Sequence, residues 1–345
     1  MNVGELSTIL VWGATSSFAI AFFAFTLDLA RRADATGVRR REAVAGGASD
    51  GSGIDEADLA TAADADTAVP GTGGTGGADD AEAPGPGYRP GRAVGIAMAL
   101  TVLGAAFQLA GIVLRAIAAE RVPWANMYEF TVVGTFVAVV TFLVLTLRRD
   151  LRFLGALVLG LTVVALGLGL TVFYVPAAGV EPALQSYWIA IHVTIAVLAT
   201  GMFTVAVSAS ALQLLKDAWE NGSPRLAHPR WRLLGQLPPV RSLEGLAFRL
   251  NAVGFVLWTF TVIAGAIWAE HAWSRFWGWD PKEVWSLIVW LVYAAYLHAR
   301  TTSGWSARAV GWFSIAGFAV LIFNFTGVNL LLPGKHSYTG LDLGG

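Results

Sequence analysis

The sequence predicts an all-α, polytopic integral membrane protein, and three observations carry that prediction. Of the 345 residues, 55% are hydrophobic and only 14% are charged. The mean hydropathy is strongly positive, at +0.60. Apolar runs long enough to cross a hydrocarbon core follow one another along most of the chain. This composition excludes a soluble enzyme core, and no nucleic-acid partner is expected. A formal net charge of −1 hides an asymmetry, since acidic residues crowd one linker and basic residues crowd particular loops, which bears on topology rather than on partners. There is no cysteine, so the chain has no disulfide and no thiolate ligand, and any thiol chemistry belongs to a partner.

The runs fall at roughly 7–28, 93–116, 129–147, 153–175, 187–215, 250–269, 284–299 and 308–330, about eight transmembrane helices in the lipid bilayer. The first has no basic segment before it and is followed by Arg31 and Arg32, the pattern of a retained N-terminal helix over residues 1–30. Residues 31–92 are acidic, rich in Gly, Ala and Pro and almost without large apolar side chains, which predicts a disordered linker. Seven helices over 93–345 then form one domain. Basic residues orient the bundle: with the N-terminus outside, the inner loops hold all 23 Lys and Arg except Arg115, Arg121, Arg275, Lys282 and Lys335. Both termini are therefore expected on the extracytoplasmic side and the linker in the cytoplasm.

The loop between the sixth and seventh spans, HAWSRFWGWDPKEVW, carries Trp273, Phe276, Trp277, Trp279 and Trp285 around a charged turn. Flat aromatic faces suit a planar ligand, and indole N–H groups tolerate the wet edge of a bilayer. Scattered tryptophans would read as an interfacial belt, but this loop is denser than a belt requires. The turn also has a local explanation, because Asp280, Pro281 and Glu283 fit the N-cap, N1 and N3 positions of a capping box. For Asp280 and Glu283, capping and ligand contact stand side by side. Lys282 offers a cation to a ligand carboxylate at a helix N-terminus. The segment RVPWANMYEF repeats the theme: Trp124, Asn126 and Tyr128, with Glu129, either line the same cavity or anchor the interface, Asn126 serving as a cap.

Five histidines occur, at distinct depths. His192 follows Tyr187 and Trp188 by about one turn, near the outer end of the fifth span. His336 lies just past the eighth span on the same face, where Asn324, Asn329 and Tyr338 could orient its ring. Two neutral imidazoles flanking an aromatic platform are a standard way to hold haem iron at both axial positions. His298 lies 18 residues beyond Asp280, ~27 Å along a helix, and cannot share that site. It reads either as a metal ligand completed by another chain or as a boundary residue snorkelling beside Arg300. His271 is a third-choice outer ligand, and His228 sits in a polar loop.

These residues carry a family resemblance. WSRFWGWDPKE resembles the tryptophan-rich "WWD" signature of the haem-handling proteins of cytochrome c biogenesis, in the ResC/CcsA branch that includes actinobacterial CcsB-type members. PWANMYE, YWIAIHV, LVYAAYLHAR and GVNLLLPGKHSY are similar to the same branch, so that the likeness covers about residues 93–340. Ser274 stands where the family often has glycine, and the linker has no counterpart. The resemblance implies that haem b, bound non-covalently in transit, is held at the outer face of a bacterial plasma membrane. His192 and His336 would be its axial ligands, with Trp273, Phe276, Trp277, Trp279 and Asp280 cradling it. It implies that His298 belongs to an inner haem station completed by a histidine of a ResB/CcsB-type partner. It further implies a subunit of a holocytochrome c synthase (haem lyase) complex, presenting haem to the CxxCH thiols of apocytochrome c alongside a thiol-reducing thioredoxin-like protein.

Two other classes compete. A membrane cytochrome b oxidoreductase usually needs two histidine pairs projecting across facing helices, and only one deep histidine exists here. A haem-independent transporter or polytopic transferase needs ionisable residues converging at depth, and the spans carry few.

Overall fold

The computed structural model describes residues 2–47, 92–177, 186–302 and 304–336. Among them the regular structure is all helical: α1 (Val3–Gly47), α2 (Arg92–Ala119), α3 (Met127–Arg148), α4 (Gly155–Thr171), α5 (Tyr187–Glu220), α6 (Val240–Trp273), α7 (Pro281–Thr301), α8 (Ala307–Phe325) and the short α9 (Gly327–Leu331). α1 continues as helix to Gly47, past the end expected at residue 30. The rest of the expected linker, 48–91, lies outside the described residues, as does Tyr338.

Seven segments are long and apolar enough to cross a membrane: Val3–Arg31, Arg92–Ala119, Met127–Arg148, Arg152–Thr171, Tyr187–Glu220, Val240–Trp273 and Ala307–Leu331. The eighth expected span, 284–299, falls within α7, which is helical but less apolar because Lys282, Glu283, His298 and Arg300 occupy its ends. α7 nevertheless is tied to its neighbours at both ends. At one end Lys282 Nζ donates to Asn324 O at 2.7 Å, at the close of α8, and at the other Arg300 pairs with Glu244 of α6 at 2.7 Å. Its 21 residues reach about 31 Å, enough for a hydrocarbon core.

Two lobes flank α5. In the first, α1 packs on α2 and α4, and α3 packs on α4. Val11, Ala14, Phe18, Ala21 and Phe25 recur every three or four residues along α1 and are all buried, while Ile9, Ile20 and Phe23 on the other face are exposed. Phe18 lies against Gly104 of α2 and Phe25 against Gly155 of α4, where a Cβ would come within 2.5 and 2.6 Å of the ring. Lipid is as apolar as a protein core, so close approach over small residues, rather than burial from water, holds such helices together. In the second lobe, Tyr293 of α7 stacks on Phe203 of α5 at 3.8 Å, and Trp258 Nε1 of α6 donates to Ser286 O of α7 at 3.0 Å. Asn251 of α6 donates to Ser314 of α8 at 3.0 Å.

α5 joins α6 along most of its length but meets α8 at the end remote from His192, through Gln213 Nε2 to Ala307 O (2.8 Å) and Arg308 to Asp217 (2.8 Å). α5 and α6 have 34 residues each, about 51 Å, and α5 runs on to Glu220 past its contacts with α8 at that end. There Lys216 Nζ, buried, donates to Leu234 O (3.1 Å) and Leu237 O (3.0 Å) and ties down the 3-10 turns of 224–236. At the opposite end, Ser7 bonds Gly111 O at 2.7 Å near the α2–α3 connection, so the start of α1 shares an end of the bundle with His336.

Candidate functional site

A cavity of about 430 Å³ opens between the lobes at the His192 end. Its walls come from α3 (Phe130, Thr131, Thr135), α4 (Leu161, Ala165), α5 (His192, Val193, Thr204), α6 (Trp258, Thr261, Trp268) and α8 (Phe318, Phe325). Polar groups gather near the mouth, where Asn126, Lys282, Glu283, Asn324, Asn329 and His336 line it. From His192 to Thr204 the cavity follows α5 for ~18 Å, so it reaches well into the apolar layer. Size, apolar walls and a few convergent polar groups are those of a small-molecule site.

His192 and His336 are presented in the same way. His192 Nδ1 lies 2.9 Å from Thr261 O, and a carbonyl oxygen can only accept, so Nδ1 carries the proton and Nε2 keeps its lone pair. His336 Nδ1 lies 2.8 Å from Asp280 Oδ1, so it too donates through Nδ1 and leaves Nε2 as an acceptor. Trp268 organises the pair: His192 stacks on it at 6.0 Å and 10°, and His336 meets it edge-on at 5.4 Å. Trp273 packs behind, 4.9 Å from His336 and 4.8 Å from Trp268. Gly265 gives His192 its room, since a Cβ there would fall 2.8 Å from Cε1.

Asp280 takes the capping role that the sequence offered and also holds His336, without itself lining the cavity. It caps α7 within a complete capping box, in which Glu283 Oε2 accepts from Gly278 N (2.7 Å) and Asp280 N (3.1 Å). Its own carboxylate accepts from Lys282 N (3.0 Å), Lys335 N (2.6 Å) and His336. Burial pushes the Asp280 carboxyl up, but the hydrogen bonds from His336 and from two backbone N–H groups outweigh it and hold the group down at about 2. A ligand histidine bonded to a carboxylate is a fixed and more basic imidazole.

Of the other residues singled out from sequence, Trp124, Asn126, Phe276, Trp277, Lys282 and Glu283 line the cavity. Asn126 also caps α3, accepting from Glu129 N at 2.9 Å. Lys282 spends two of its three N–H donors on Asn324 O and on Asn329 Oδ1 at 3.1 Å. Tyr128 and Glu129 do not line the cavity. Tyr128 faces the α1–α2 side under the Arg115 guanidinium, 5.1 Å from its ring centroid. Glu129 is wholly buried between Arg115 (2.9 Å) and Arg121 (2.7 Å), and Arg115 continues to Val175 O at 2.7 Å. Two of the five cations expected outside are therefore consumed in clamping α2, α3 and the segment after α4 together. Trp279 is 76% exposed and turned away from the cavity, 5.8 Å edge-on from Trp277. His298 is exposed near the far end of α7. His271 is exposed and donates to Ile267 O at 2.8 Å, and His228 is exposed in the far-end loop. Among the described residues no group of three or more His, Asp or Glu is placed to hold a metal ion.

Sequence reasoning missed Thr261, Gly265 and Trp268. Their i, i+4, i+7 spacing on α6 is one helical face that combines a carbonyl, a gap and an indole, and that spacing was the available signal.

Apolar membrane-crossing helices around an aromatic, histidine-flanked cavity define a multi-pass membrane protein with a cavity of small-molecule size. Residues 124–336 match the family model described as cytochrome C assembly protein. The chain is 33% identical over 265 residues to cytochrome c biogenesis protein CcsA of Prochlorococcus marinus (strain NATL2A), covering 69% of this chain and 83% of that protein. It is 33% identical over 234 residues to CcsA of Guillardia theta, covering 64% of this chain and 77% of the relative. A solved structure titled cytochrome c heme lyase CcmF shares the fold, with a TM-score of 0.59 at 14% identity over 94% of this chain, which spans 47% of that one. The chain belongs to the cytochrome c assembly protein family, as a CcsA/ResC-type cytochrome c biogenesis protein. A role in cytochrome c biogenesis implies handling haem and meeting apocytochrome c.

Proposed function

We propose that this chain binds haem, as cargo, in the cavity between His192 and His336 and presents it at the extracytoplasmic face for covalent attachment to the CxxCH thiols of apocytochrome c. One observation carries the reading: both imidazoles spend Nδ1 on a fixed acceptor and keep Nε2 available beside one cavity, with Trp268 between them. When bound, haem supplies the iron and the vinyl groups. The chain's residues fix the two imidazoles, exclude water with Trp124, Phe130, Trp258 and Phe325, and place polar groups at the mouth. The orientation with the site outside rests on the distribution of Lys and Arg. The cargo is haem b in a bacterial plasma membrane, and the partner is a ResB/CcsB-type protein whose histidine would pair with His298, while a thioredoxin-like protein reduces the acceptor's thiols. With that partner the chain acts as a subunit of a holocytochrome c synthase.

The test is a pyridine haemochrome and a reduced-minus-oxidised spectrum of the protein purified in detergent, with and without the partner. Wild type is expected to carry haem, His192→Ala and His336→Ala to lose it, and added imidazole to restore part of it. Haem-free wild-type complex, or full occupancy in both variants, removes the reading.

A further inference from the structure

Trp279 is the member of the aromatic loop that does not fit a cargo cradle. It is 76% exposed, does not line the cavity, and has φ 59°, in the left-handed region that a bulky residue occupies only under constraint. The constraint is visible on both sides of it. The Glu283 carboxylate accepts from the N–H groups of Gly278 and Asp280, and Asp280 in turn holds His336. The same bonds that build the imidazole support thus hold an indole out into solvent.

The exposed indole is continuous with the cavity mouth. It meets Trp277 edge-on at 5.8 Å, and Trp277 is part of the cavity wall. Phe276 bridges the two environments, lining the cavity while 60% exposed. Cations border the patch: the Arg275 guanidinium lies against Gly278, and Lys335 Nζ stands 5.7 Å from the Trp273 ring. A protruding aromatic beside a second one, bordered by charge, has the make-up of a protein-docking hot spot. An interfacial anchor needs no fixed backbone.

Resting on the proposed haem-presenting role, we infer that Phe276 and Trp279 form the docking rim for the acceptor polypeptide, and that Trp279 touches that polypeptide rather than the haem. Cytochrome c assembly ends with haem on a protein, so the acceptor must reach the mouth from which the cargo leaves, and this rim is an exposed aromatic surface joined to the cavity. The backbone constraint keeps the indole presented before the acceptor arrives and removes the cost of ordering it on binding.

The chain has no cysteine, so one introduced thiol is unique. In the full-length protein, Trp279→Cys carrying a photoreactive label should capture a synthetic peptide containing one CxxCH segment with alkylated cysteines. The same label at Trp312→Cys, an exposed position on α8, should not. Trp279→Ala should weaken binding of that peptide about tenfold while haem occupancy, read from the Soret band, stays at the wild-type level. Trp279→Gly, which suits the left-handed backbone, should weaken the peptide equally and so guards against a folding artefact. Lost haem with unchanged peptide binding would overturn the inference, because Trp279 would then belong to the cargo wall. Unchanged binding of both, with the label at 279 capturing lipid instead of the peptide, would overturn it in favour of a membrane anchor. Peptide binding is measured on haem-free protein too, so absence of haem from wild type would count against the proposed function alone.

Discussion

Asp280 and His336, 56 residues apart in the chain, meet at 2.8 Å, and the carboxylate that orients the imidazole is the same one that starts α7. Helix initiation and ligand placement are one event in this protein. Asp280→Ala should cost haem affinity about 10–100-fold, the range for losing a group that orients a metal ligand, and about 1 kcal/mol of stability from the lost cap. Asp280→Asn keeps a good capping residue, so its melting temperature should stay close to wild type while haem affinity still falls. Haem titration and thermal unfolding of both variants check the separation, and equal haem affinity in Asp280→Asn and wild type would refute it.

Gly265 and His192 give a second prediction. A Cβ at 265 would sit 2.8 Å from His192 Cε1 and 3.0 Å from Nδ1, and α5 and α6 pack closely there. Gly265→Ala should displace the ring from Thr261 and lower haem occupancy to that of His192→Ala, with the helical content unchanged. Circular dichroism alongside the Soret band measures both quantities.

The Arg115–Glu129–Arg121 cluster predicts a stability effect without a change in the site. Removing the carboxylate leaves two guanidinium groups at a buried position, and breaking such a pair costs about 3–5 kcal/mol. Glu129→Gln should therefore lose most folded protein in detergent. Replacing Glu129 and Arg115 together by Leu and Met should recover part of it. Size-exclusion yield and thermal scans of the two variants give the comparison.

His298 is exposed near the end of α7 remote from the cavity, so His298→Ala should leave stability and the His192–His336 site untouched. Any haem it holds should be lost only from the complex with the ResB/CcsB-type partner. Spectra of the variant with and without that partner make the test, and loss of haem from the isolated chain would contradict it.

Much of this protein was legible because its signals are local. Apolar runs of membrane-spanning length predicted the spans, and Asp280, Pro281 and Glu283 predicted the start of α7 at Pro281, since a cap and its helix lie within a few residues. The placement of His192 and His336 at one end followed from counting spans, and both line the one cavity. The count of about eight spans was harder, because α7 carries charge at both ends and is less apolar than the other seven.

Side-chain direction is what the sequence alone did not determine. In a soluble helix the apolar stripe marks the buried face, but here lipid and protein interior are equally apolar, so the hydropathy pattern is nearly uniform around each helix. Nothing local therefore distinguished Tyr128, which turns towards α1 and α2, from Trp124 and Asn126, which line the cavity. Nor did it show that Trp279 leaves the cavity wall while Trp277 stays, a separation set by the positive φ at Trp279 and the Glu283 bonds on either side. The sequence by itself determined the membrane class, the spans, the caps and which histidines share an end. Only the packing of α5 against α6 and of the 333–336 turn against the start of α7 decided which nitrogen of each imidazole is free, because those bonds join residues 69 and 56 positions apart.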